Sequence, residues 1–336
     1  MAPTKGLPGN PSTGGCGCKP APGGVLGGAD SGQLSAPPAS LPGLVFARPA
    51  RTGVPGQTLE ADAGLAPLVE MGAADVSGAF ALSEEAGWNQ TAEDWSLLIR
   101  LGRGFAVAGS DGRLAATAVA LPYPPEFGWI GMVLVHGPYR RRGLASRLLE
   151  RAVAELRDRG LVPVLDATPA GQPVYERMGF RPIEALTRWR GEGGGSAAAA
   201  PPPVRDARDI AELDRVAFGA DRSAVLADLL ARQGAGSRSD PRGGGFLLSR
   251  PGRTATYIGP FVARETETAL ALLESELSGI SGPVAIDVPD RESEIADLLS
   301  SHGFEPERPF ARMALDRHTG FGDPTLIRAI AAPELG

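Results

Sequence analysis

The spacing of apolar and polar residues divides the first half of the chain into a series of elements. Apolar residues recur at helical spacing over 63–83 and again from Thr91, where Thr91 and Asp94 fit a capping pattern ahead of the second helix. Short β-branched runs on either side of the sequence SDG at 110–112 predict a hairpin. The continuous apolar run 129–135 predicts a strand that is buried on both faces.

The remainder of this half continues the alternation of helix and strand. An amphipathic pattern runs from residue 144 to Gly160, and it is followed by the apolar run LVPVLDA, which predicts a second buried strand. A short helix then carries VYERMG, and FRPIEALTRWR has strand character. With a further short strand at 44–48, this order predicts an α/β fold with a mixed (α+β) sheet.

Glycine and proline, 46 and 31 of the 336 residues, are concentrated in three segments. Residues 1–42 have no sustained period and too few large apolar side chains to offset the entropy of ordering, which predicts a disordered tail. The glycines and prolines of 191–203 predict a linker, and those of 233–245 predict a mobile loop. We therefore expect two domains, residues 43–190 and 204–336.

Charge and composition exclude several classes of protein. A net charge of −6 argues against a nucleic-acid partner, because phosphate binding usually requires a basic domain. No stretch approaches the roughly 18 to 20 apolar residues of a membrane span, and the N-terminus has no hydrophobic signal core, so we expect a cytoplasmic protein without a membrane partner. Cys16 and Cys18 cannot form a disulfide framework, and His136, His302 and His318 are far apart, so we expect no metal site.

The second half repeats the first in a weaker form. GFRPIEALTRW aligns without a gap with GFEPERPFARM, which pairs Arg188 with Arg312, and Asp287 is the counterpart of Asp166. A repeat of this length indicates two copies of one fold in tandem. Groups present in both copies serve the fold more often than the chemistry. This comparison favours a structural or hydrogen-bonding role for Asp166 over a role as a base.

Two features occur in the first copy alone. The turn GPYRRRGLA at 137–145 lies between a predicted strand and a predicted helix, and the second copy has no basic glycine turn at that place. Tyr175 lies four residues before Gly179, whereas Leu299 lies four residues before Gly303. We therefore expect the chemistry in the first copy.

The turn has the spacing RxxGxA, formed by Arg140, Gly143 and Ala145. The first backbone N–H groups of a helix are unpaired and carry the positive end of its dipole, so they can hold a pyrophosphate. Gly143 permits close approach of a ligand, and the small Ala145 leaves the first helical turn uncrowded. Further positive charge comes from Arg141, Arg142 and Arg147. The glycine patterns of P-loops and of Rossmann folds are both absent.

These residues resemble the acyl-coenzyme A binding motif of the GNAT superfamily of N-acetyltransferases. VLVHGPYRRRGLASRLL is similar to its [QR]xxGx[GA] motif after a valine-rich strand, and PVYERMGF is similar to its later YxxxGF. The resemblance covers about residues 44–190, and residues 204–336 resemble the shorter second domain of a GNAT subgroup. It implies tandem GNAT-like folds, with a degenerate second copy that lacks the pyrophosphate loop.

The resemblance also implies acetyl-CoA as co-substrate and a role for several residues. The Val133 amide would donate to the thioester carbonyl, and Tyr175 would protonate the departing thiolate, although Tyr175 is also compatible with a core position. Glu126 is the first candidate for the general base, and Asp166 is the second. The residues implied in coenzyme binding are Met132, Val133, Leu134, Val135, Arg140, Arg141, Arg142, Gly143, Leu144, Ala145 and Ser146.

The acceptor is less well defined than the coenzyme. Trp88, Asn89 and Gln90 precede the second predicted helix, in a region that flanks the acceptor cleft of GNAT folds, and they are equally compatible with helix packing and capping. Both cysteines lie in the predicted tail, so direct attack in a ternary complex is favoured over an acyl-cysteine intermediate. The acidic balance permits a cationic amine on a small molecule or a protein.

We therefore predict an acyl-CoA dependent N-acyltransferase that modifies a primary amine. The alternative is a non-catalytic protein that senses acetyl-CoA through the first domain and binds a partner through the second. Tyr175 and the buried strand beside the glycine turn favour the enzyme, because a sensor requires the coenzyme site but no general acid.

Overall fold

A computed structural model describes residues 66–195 and 201–336. The predicted tail at 1–42, both cysteines and the predicted strand at 44–48 lie outside the described residues. The strands are β1 (Val69–Glu70), β2 (Arg103–Ala108), β3 (Leu114–Tyr123), β4 (Phe127–Val135), β5 (Val162–Ala167), β6 (Phe180–Gly194), β7 (Gly236–Ser239), β8 (Gly245–Arg250), β9 (Thr256–Ala263), β10 (Ser281–Pro289), β11 (Glu305–Leu315) and β12 (Ile327–Ala329). The α-helices are α1 (Val76–Glu85), α2 (Ala92–Leu101), α3 (Leu144–Arg157), α4 (Gln172–Arg177), α5 (Arg208–Phe218), α6 (Ser223–Ala231), α7 (Thr266–Gly279) and α8 (Ser293–Ser301).

All twelve strands of the described residues belong to one mixed sheet, which confirms the predicted α/β class. Its order is β1-β2-β3-β4-β5-β11-β6-β10-β9-β8-β7, and β12 pairs with β9. The two halves have matching arrangements, because β4 pairs in parallel with β5, as β9 does with β10. None of the described helices has the length and apolar character needed to cross a membrane.

The last long strands of the two halves are exchanged at the centre of the sheet. Strand β11 of the second half lies between β5 and β6 of the first half, and β6 pairs on its other side with β10. Each half therefore completes its sheet with a strand of the other. This exchange joins the two repeats, which the sequence predicts as separate domains, through shared strands at the centre of the sheet.

The predicted linker at 191–203 is wrong at its first residues, because β6 continues to Gly194. The glycines there permit close packing. A Cβ at Gly191 would lie 2.5 Å from the Phe304 ring, and a Cβ at Gly193 would lie 2.3 Å from the Ile280 carbonyl oxygen. Glycine in this segment thus serves a paired strand, and composition alone does not distinguish that use from a linker.

Two other predicted segments need correction. The helix expected at 63–83 begins only at Val76 and ends at Glu85, after the short strand β1. The loop expected at 233–245 contains β7, which pairs with β8. The capping pattern before α2 is confirmed, because the Asp94 amide donates to Thr91 Oγ1 at 3.3 Å and the Thr91 amide donates to Asp94 Oδ2 at 2.7 Å.

Apolar side chains cover both faces of the first half of the sheet. On one face, Ile130 of β4 packs with Leu144 and Leu148 of α3. On the opposite face, Trp129 and Met132 belong to the core that α1 and α2 cover. Each of these strands therefore has side chains pointing into two cores, which agrees with the continuous apolar runs of the sequence.

Candidate active site

The glycine turn between β4 and α3 exposes backbone donors. Gly143 has φ +77 and precedes the first residue of α3, and a Cβ built on it would meet nothing within 4 Å. No side chain caps this helix end, so the N–H groups of its first turn remain available. Arg140, Arg141 and Arg142 are exposed beside them. The turn therefore offers open space, free donors and positive charge at one place, which suits a pyrophosphate.

Glu85, at the end of α1, anchors the start of this turn. It accepts a hydrogen bond from the Gly137 amide at 2.9 Å and pairs with the ring of His136. Burial raises the pKa of the Glu85 carboxyl, but the hydrogen bonds from Gly137 and His136 outweigh burial and hold that pKa below its usual value. Arg140 lies 3.9 Å from the Glu85 carboxylate, and its Nε donates to the Val135 carbonyl at 3.1 Å. Sequence reasoning did not identify Glu85.

Strand β4 contains a bulge where the predicted pantetheine contacts lie. Between Gly131 and Leu134 the strand has one more residue than its partner β3, and Met132 has φ +55. A bulge leaves one residue without a partner in the ladder and bends the strand. Here the Met132 carbonyl is held by the Thr117 hydroxyl at 3.0 Å. The predicted contacts at Met132 and Val133 thus fall on an irregular strand that has backbone groups available.

Strands β4 and β5 separate before the bulge. Their parallel pairing extends from Phe127 to Trp129 on β4 and from Val162 to Val164 on β5. No strand of the described residues pairs with either of them inside the resulting gap. The gap leads to the glycine turn, so an extended chain with a pyrophosphate at one end fits along it.

The second half has the same gap, but β12 fills it. Strand β12 pairs with β9 at Val262 and Phe261, and the Ile330 amide then donates to the Asp287 carbonyl at 3.1 Å. The connection from β9 to α7 consists of Arg264 and Glu265, without a glycine turn. The chain itself thus occupies the place that corresponds to the open gap of the first half.

Tyr175 lies on α4, on the same face of the sheet as α3. Its side chain packs in the core that contains Leu144 and Tyr139, and its ring lies 6.2 Å from that of Phe180. The Tyr175 hydroxyl forms no hydrogen bond with another described residue. Burial raises the pKa of this tyrosine to about 12, so it is protonated at neutral pH.

The two candidate bases occupy different surroundings. Glu126 lies exposed in the turn before β4, at the end of the strand opposite to the glycine turn, and pairs with Arg317 at 3.2 Å. Asp166 lies on β5, and its fully buried carboxylate forms a bidentate pair with Arg312 at 2.9 and 3.1 Å. Burial raises the pKa of Asp166 more than Arg312 lowers it. Position argues against Glu126 as the base, and the ion pair supports a structural role for Asp166.

The three residues predicted to contact the acceptor all interact with other parts of the chain. Asn89 Oδ1 accepts from the amides of Thr254 and Ala255 at 2.8 and 3.0 Å, so this side chain joins the two halves. Trp88 packs against the core, and its carbonyl accepts from Arg253. Gln90 is buried and donates to Glu334 Oε2 at 2.9 Å.

Sequence reasoning also missed Glu334, which reaches the first half from the segment after β12. This segment, 331–336, crosses strands of the first half, where Trp129 Nε1 donates to the Pro333 carbonyl at 2.9 Å and the Tyr123 hydroxyl donates to the Leu335 carbonyl at 2.8 Å. A Cβ at Gly131 would lie 2.9 Å from both Cα and Cβ of Glu334. Only a long-range fold brings this residue to β4, so no local pattern indicates it.

A cavity of about 250 Å³ lies beside β4 on the face opposite to α3. Most of its lining residues are apolar, four of them aromatic, and charged side chains from β6, β11 and the loop after β10 complete the lining. Trp129 forms part of the wall, two residues before Gly131, and Arg312 lies 4.6 Å from the Trp129 ring. The aromatic and charged lining residues are Phe127, Trp129, Phe218, Phe321, Glu184, Arg291 and Arg312. The cavity can therefore take an apolar group close to the point where β4 and β5 separate.

Comparisons with known proteins identify the family of both halves. The acetyltransferase (GNAT) family model matches residues 75–180, and an acetyltransferase (GNAT) domain model matches residues 210–320. The chain is 26% identical over 250 residues to the uncharacterized N-acetyltransferase YitH of Bacillus subtilis (strain 168), and this similarity covers 71% of the chain and 88% of YitH.

Solved structures show the same fold. The crystal structure of a proposed acetyltransferase from Pyrococcus horikoshii has a TM-score of 0.70 at 19% identity, and the similarity covers 84% of this chain and 99% of that one. A tandem GNAT protein from the clavulanic acid biosynthesis pathway has a TM-score of 0.50 at 18% identity, over 74% of this chain and 98% of that one. The fold and the site thus define a tandem-domain acyltransferase. The chain belongs to the GNAT superfamily and is an N-acetyltransferase with two GNAT domains.

Proposed function

We propose that the first half transfers an acetyl group from acetyl-CoA directly to a primary amine. The observation that carries this proposal is the open glycine turn with free helix N–H groups, placed at the end of the gap between β4 and β5. Residues Arg140 to Ser146 would hold the pyrophosphate, and the strand from Met132 to Val135 would hold the pantetheine arm. The second half would bind no coenzyme, because β12 fills its gap and its glycine turn is missing.

Two residues of the first half would assist the transfer, one at the carbonyl oxygen of the thioester and the other at its sulfur. Acetyl-CoA supplies an activated acetyl group, and the Val133 amide would stabilise the negative charge that develops on the carbonyl oxygen. Tyr175 would give its proton to the departing thiolate. Because Val133 lies in the bulge of β4 and Tyr175 on α4, the acceptor nitrogen would approach the carbonyl carbon from the opposite face of the sheet.

Replacing Tyr175 with phenylalanine tests the general acid. We expect kcat to fall about 100-fold, within the range for loss of one acid or base, with the KM for acetyl-CoA nearly unchanged. Thiol release from acetyl-CoA in the presence of a primary amine measures both quantities. The ring and its packing against Phe180 are retained. An unchanged kcat would assign Tyr175 to the core alone.

The aromatic cavity supports an acceptor with an apolar body. A panel of amines at equal concentration tests this, and we expect phenethylamine to give faster thiol release than a polyamine such as spermidine. Phe321→Ala removes one partly exposed wall of the cavity. We expect this change to raise the KM for phenethylamine about tenfold, because a buried aromatic contact contributes about 1.4 kcal/mol or more.

The control for this variant is Val69→Ala, which shortens an exposed side chain on the edge strand β1. It should leave the KM for phenethylamine unchanged. Equal KM values for wild type and Phe321→Ala would place the acceptor outside the cavity. Absence of thiol release from every amine in the panel would contradict the proposed transfer itself. A non-catalytic sensor, the alternative function, finds no support among the relatives, which are named as acetyltransferases.

A further inference from the structure

Glu334 enters the first half beside the bulge of β4. The segment that carries it crosses Gly131 so closely that any side chain there would collide with Glu334. Gly131 directly precedes Met132 and Val133, the residues proposed to hold the thioester. The second half therefore delivers one carboxylate to the immediate neighbourhood of the proposed transfer point.

Glu334 also lies on the face of the sheet that the acceptor must use. The side chains of Ile130 and Val133 point into the core with α3, where the coenzyme turn begins. Trp129 and Met132 point to the other face, and the carbonyl of Pro333 accepts from the indole of Trp129. The coenzyme and Glu334 thus approach β4 from opposite sides, as a thioester and a base for the attacking nitrogen have to do.

The carboxylate borders a small polar cavity that also contains one unsatisfied acceptor, the Gln90 Oε1 atom. The cavity has a volume of about 10 Å³, enough for one water molecule, and its polar lining residues are Asn89, Gln90, Asp94, Arg188, Arg250, Tyr257 and Glu334. Gln90 is 8% exposed, and its Oε1 is buried without a hydrogen bond partner. The amide oxygen requires a donor, and the Glu334 carboxylate, which accepts from Gln90 Nε2, has room for further hydrogen bonds. The group that satisfies them is one with several N–H or O–H donors.

We propose that Glu334 is the general base of acetyl transfer and that Gln90 holds the amine, or its relay water, beside it. This inference rests on the function proposed above. The protonated amine gives one proton to Glu334, and its nitrogen then forms a bond to the acetyl carbon as the carbon–sulfur bond breaks. The thiolate takes the proton of Tyr175, and the second proton lost by the nitrogen returns to Tyr175 through solvent. One proton is released to water in each turnover.

The charges around Glu334 suit a base that works near neutral pH. Burial and then the negative charge of Asp94 raise the pKa of the Glu334 carboxyl to about 7, although Arg250 and the Gln90 hydrogen bond lower it. Other charged or titratable groups that face this region are Tyr123 of β3, Arg188 of β6, Tyr257 of β9 and Asp287 of β10. We expect kcat for a protonated amine to rise as the pH increases through about 7, because the base acts in its ionised form.

Two acceptors of nearly equal shape can distinguish whether Glu334 acts as a general base or has only a structural role. Phenethylamine is protonated near neutral pH, whereas O-benzylhydroxylamine has the same aryl group and a neutral nitrogen. Glu334→Gln should reduce kcat for phenethylamine about 100-fold and remove the inflection near pH 7. With O-benzylhydroxylamine the same variant should retain most of its activity, since its nitrogen needs no deprotonation before attack. This second activity also reports that the variant is folded.

Glu276→Gln is the matched control, because Glu276 is equally buried and lies on α7 of the second half. It should leave the kcat ratio of the two acceptors unchanged. An unaltered pH profile in Glu334→Gln, or an equal loss of kcat with both acceptors, would overturn the assignment of the base. A wild type without thiol release from either acceptor would contradict the proposed function, and this inference would fall with it.

Discussion

The double variant Arg140→Ala, Gly143→Glu should bind acetyl-CoA at least about 100-fold more weakly than the wild type, a loss of about 2.7 kcal/mol. Arg140 contributes a positive charge beside the proposed pyrophosphate site. The new glutamate would place a negative charge where the free N–H groups of α3 point. Isothermal titration with acetyl-CoA measures the affinity without requiring an acceptor.

The control must separate electrostatics from backbone strain, because Gly143 has φ +77 and other residues adopt that conformation at a cost of about 1 kcal/mol. Gly112 provides it. This glycine has φ +79, lies in the hairpin between β2 and β3, and has nothing within 4 Å of a built Cβ. Gly112→Glu should carry a similar strain and bind acetyl-CoA normally. Equal affinity in the double variant and in the wild type would exclude the glycine turn as the coenzyme site.

The coenzyme half of the proposed site can be inferred from sequence because the residues that form it are local. A strand, a glycine turn and a helix follow one another without interruption, so the spacing of Arg140, Gly143 and Ala145 fixes their relative positions. Tyr175 can also be singled out from the sequence, because the second copy has Leu299 at the corresponding position. The bulge at Met132 cannot be predicted from the sequence, because a register shift depends on pairing with β3 and no local residue pattern indicates it.

The acceptor half depends on contacts between distant parts of the chain. Asn89 resembles a site residue next to a helix cap, yet it binds the loop before β9, 165 residues further along the chain. Glu334 reaches β4 only because the segment after β12 crosses from the second half to the first. The repeat comparison identified Asp166 and Asp287 as structural counterparts, but alignment within each copy did not reveal that each carboxylate binds the arginine of the other half.

These crossed ion pairs follow directly from the strand exchange. Arg188 of β6 binds Asp287 of β10 through two hydrogen bonds of 2.7 Å, and Arg312 of β11 binds Asp166 of β5. Each pair joins a strand of one half to a strand of the other. The exchange therefore places a buried charge pair on each side of the junction between β11 and β6, so neither half can unfold without exposing charges of the other.

Asp287→Ala should lower the free energy of unfolding by about 3 to 5 kcal/mol, because it leaves the Arg188 guanidinium buried without its carboxylate. The side chains of Arg188 and Asp287 are 8% and 0% exposed, and Tyr257 loses its hydrogen bond to Asp287 as well. Urea denaturation followed by circular dichroism measures the change.

Asp166→Ala is the matched comparison, and it should cost less, because Arg312 keeps Glu184 as a second carboxylate at 3.4 Å. Replacing both partners, as in Arg188→Met with Asp287→Leu, should also recover most of the loss, since no buried charge remains unpaired. In every variant the two halves should unfold in a single transition, as expected of repeats that share exchanged strands. Two separate transitions, with Asp287→Ala shifting only one of them, would show that the exchange does not couple the halves.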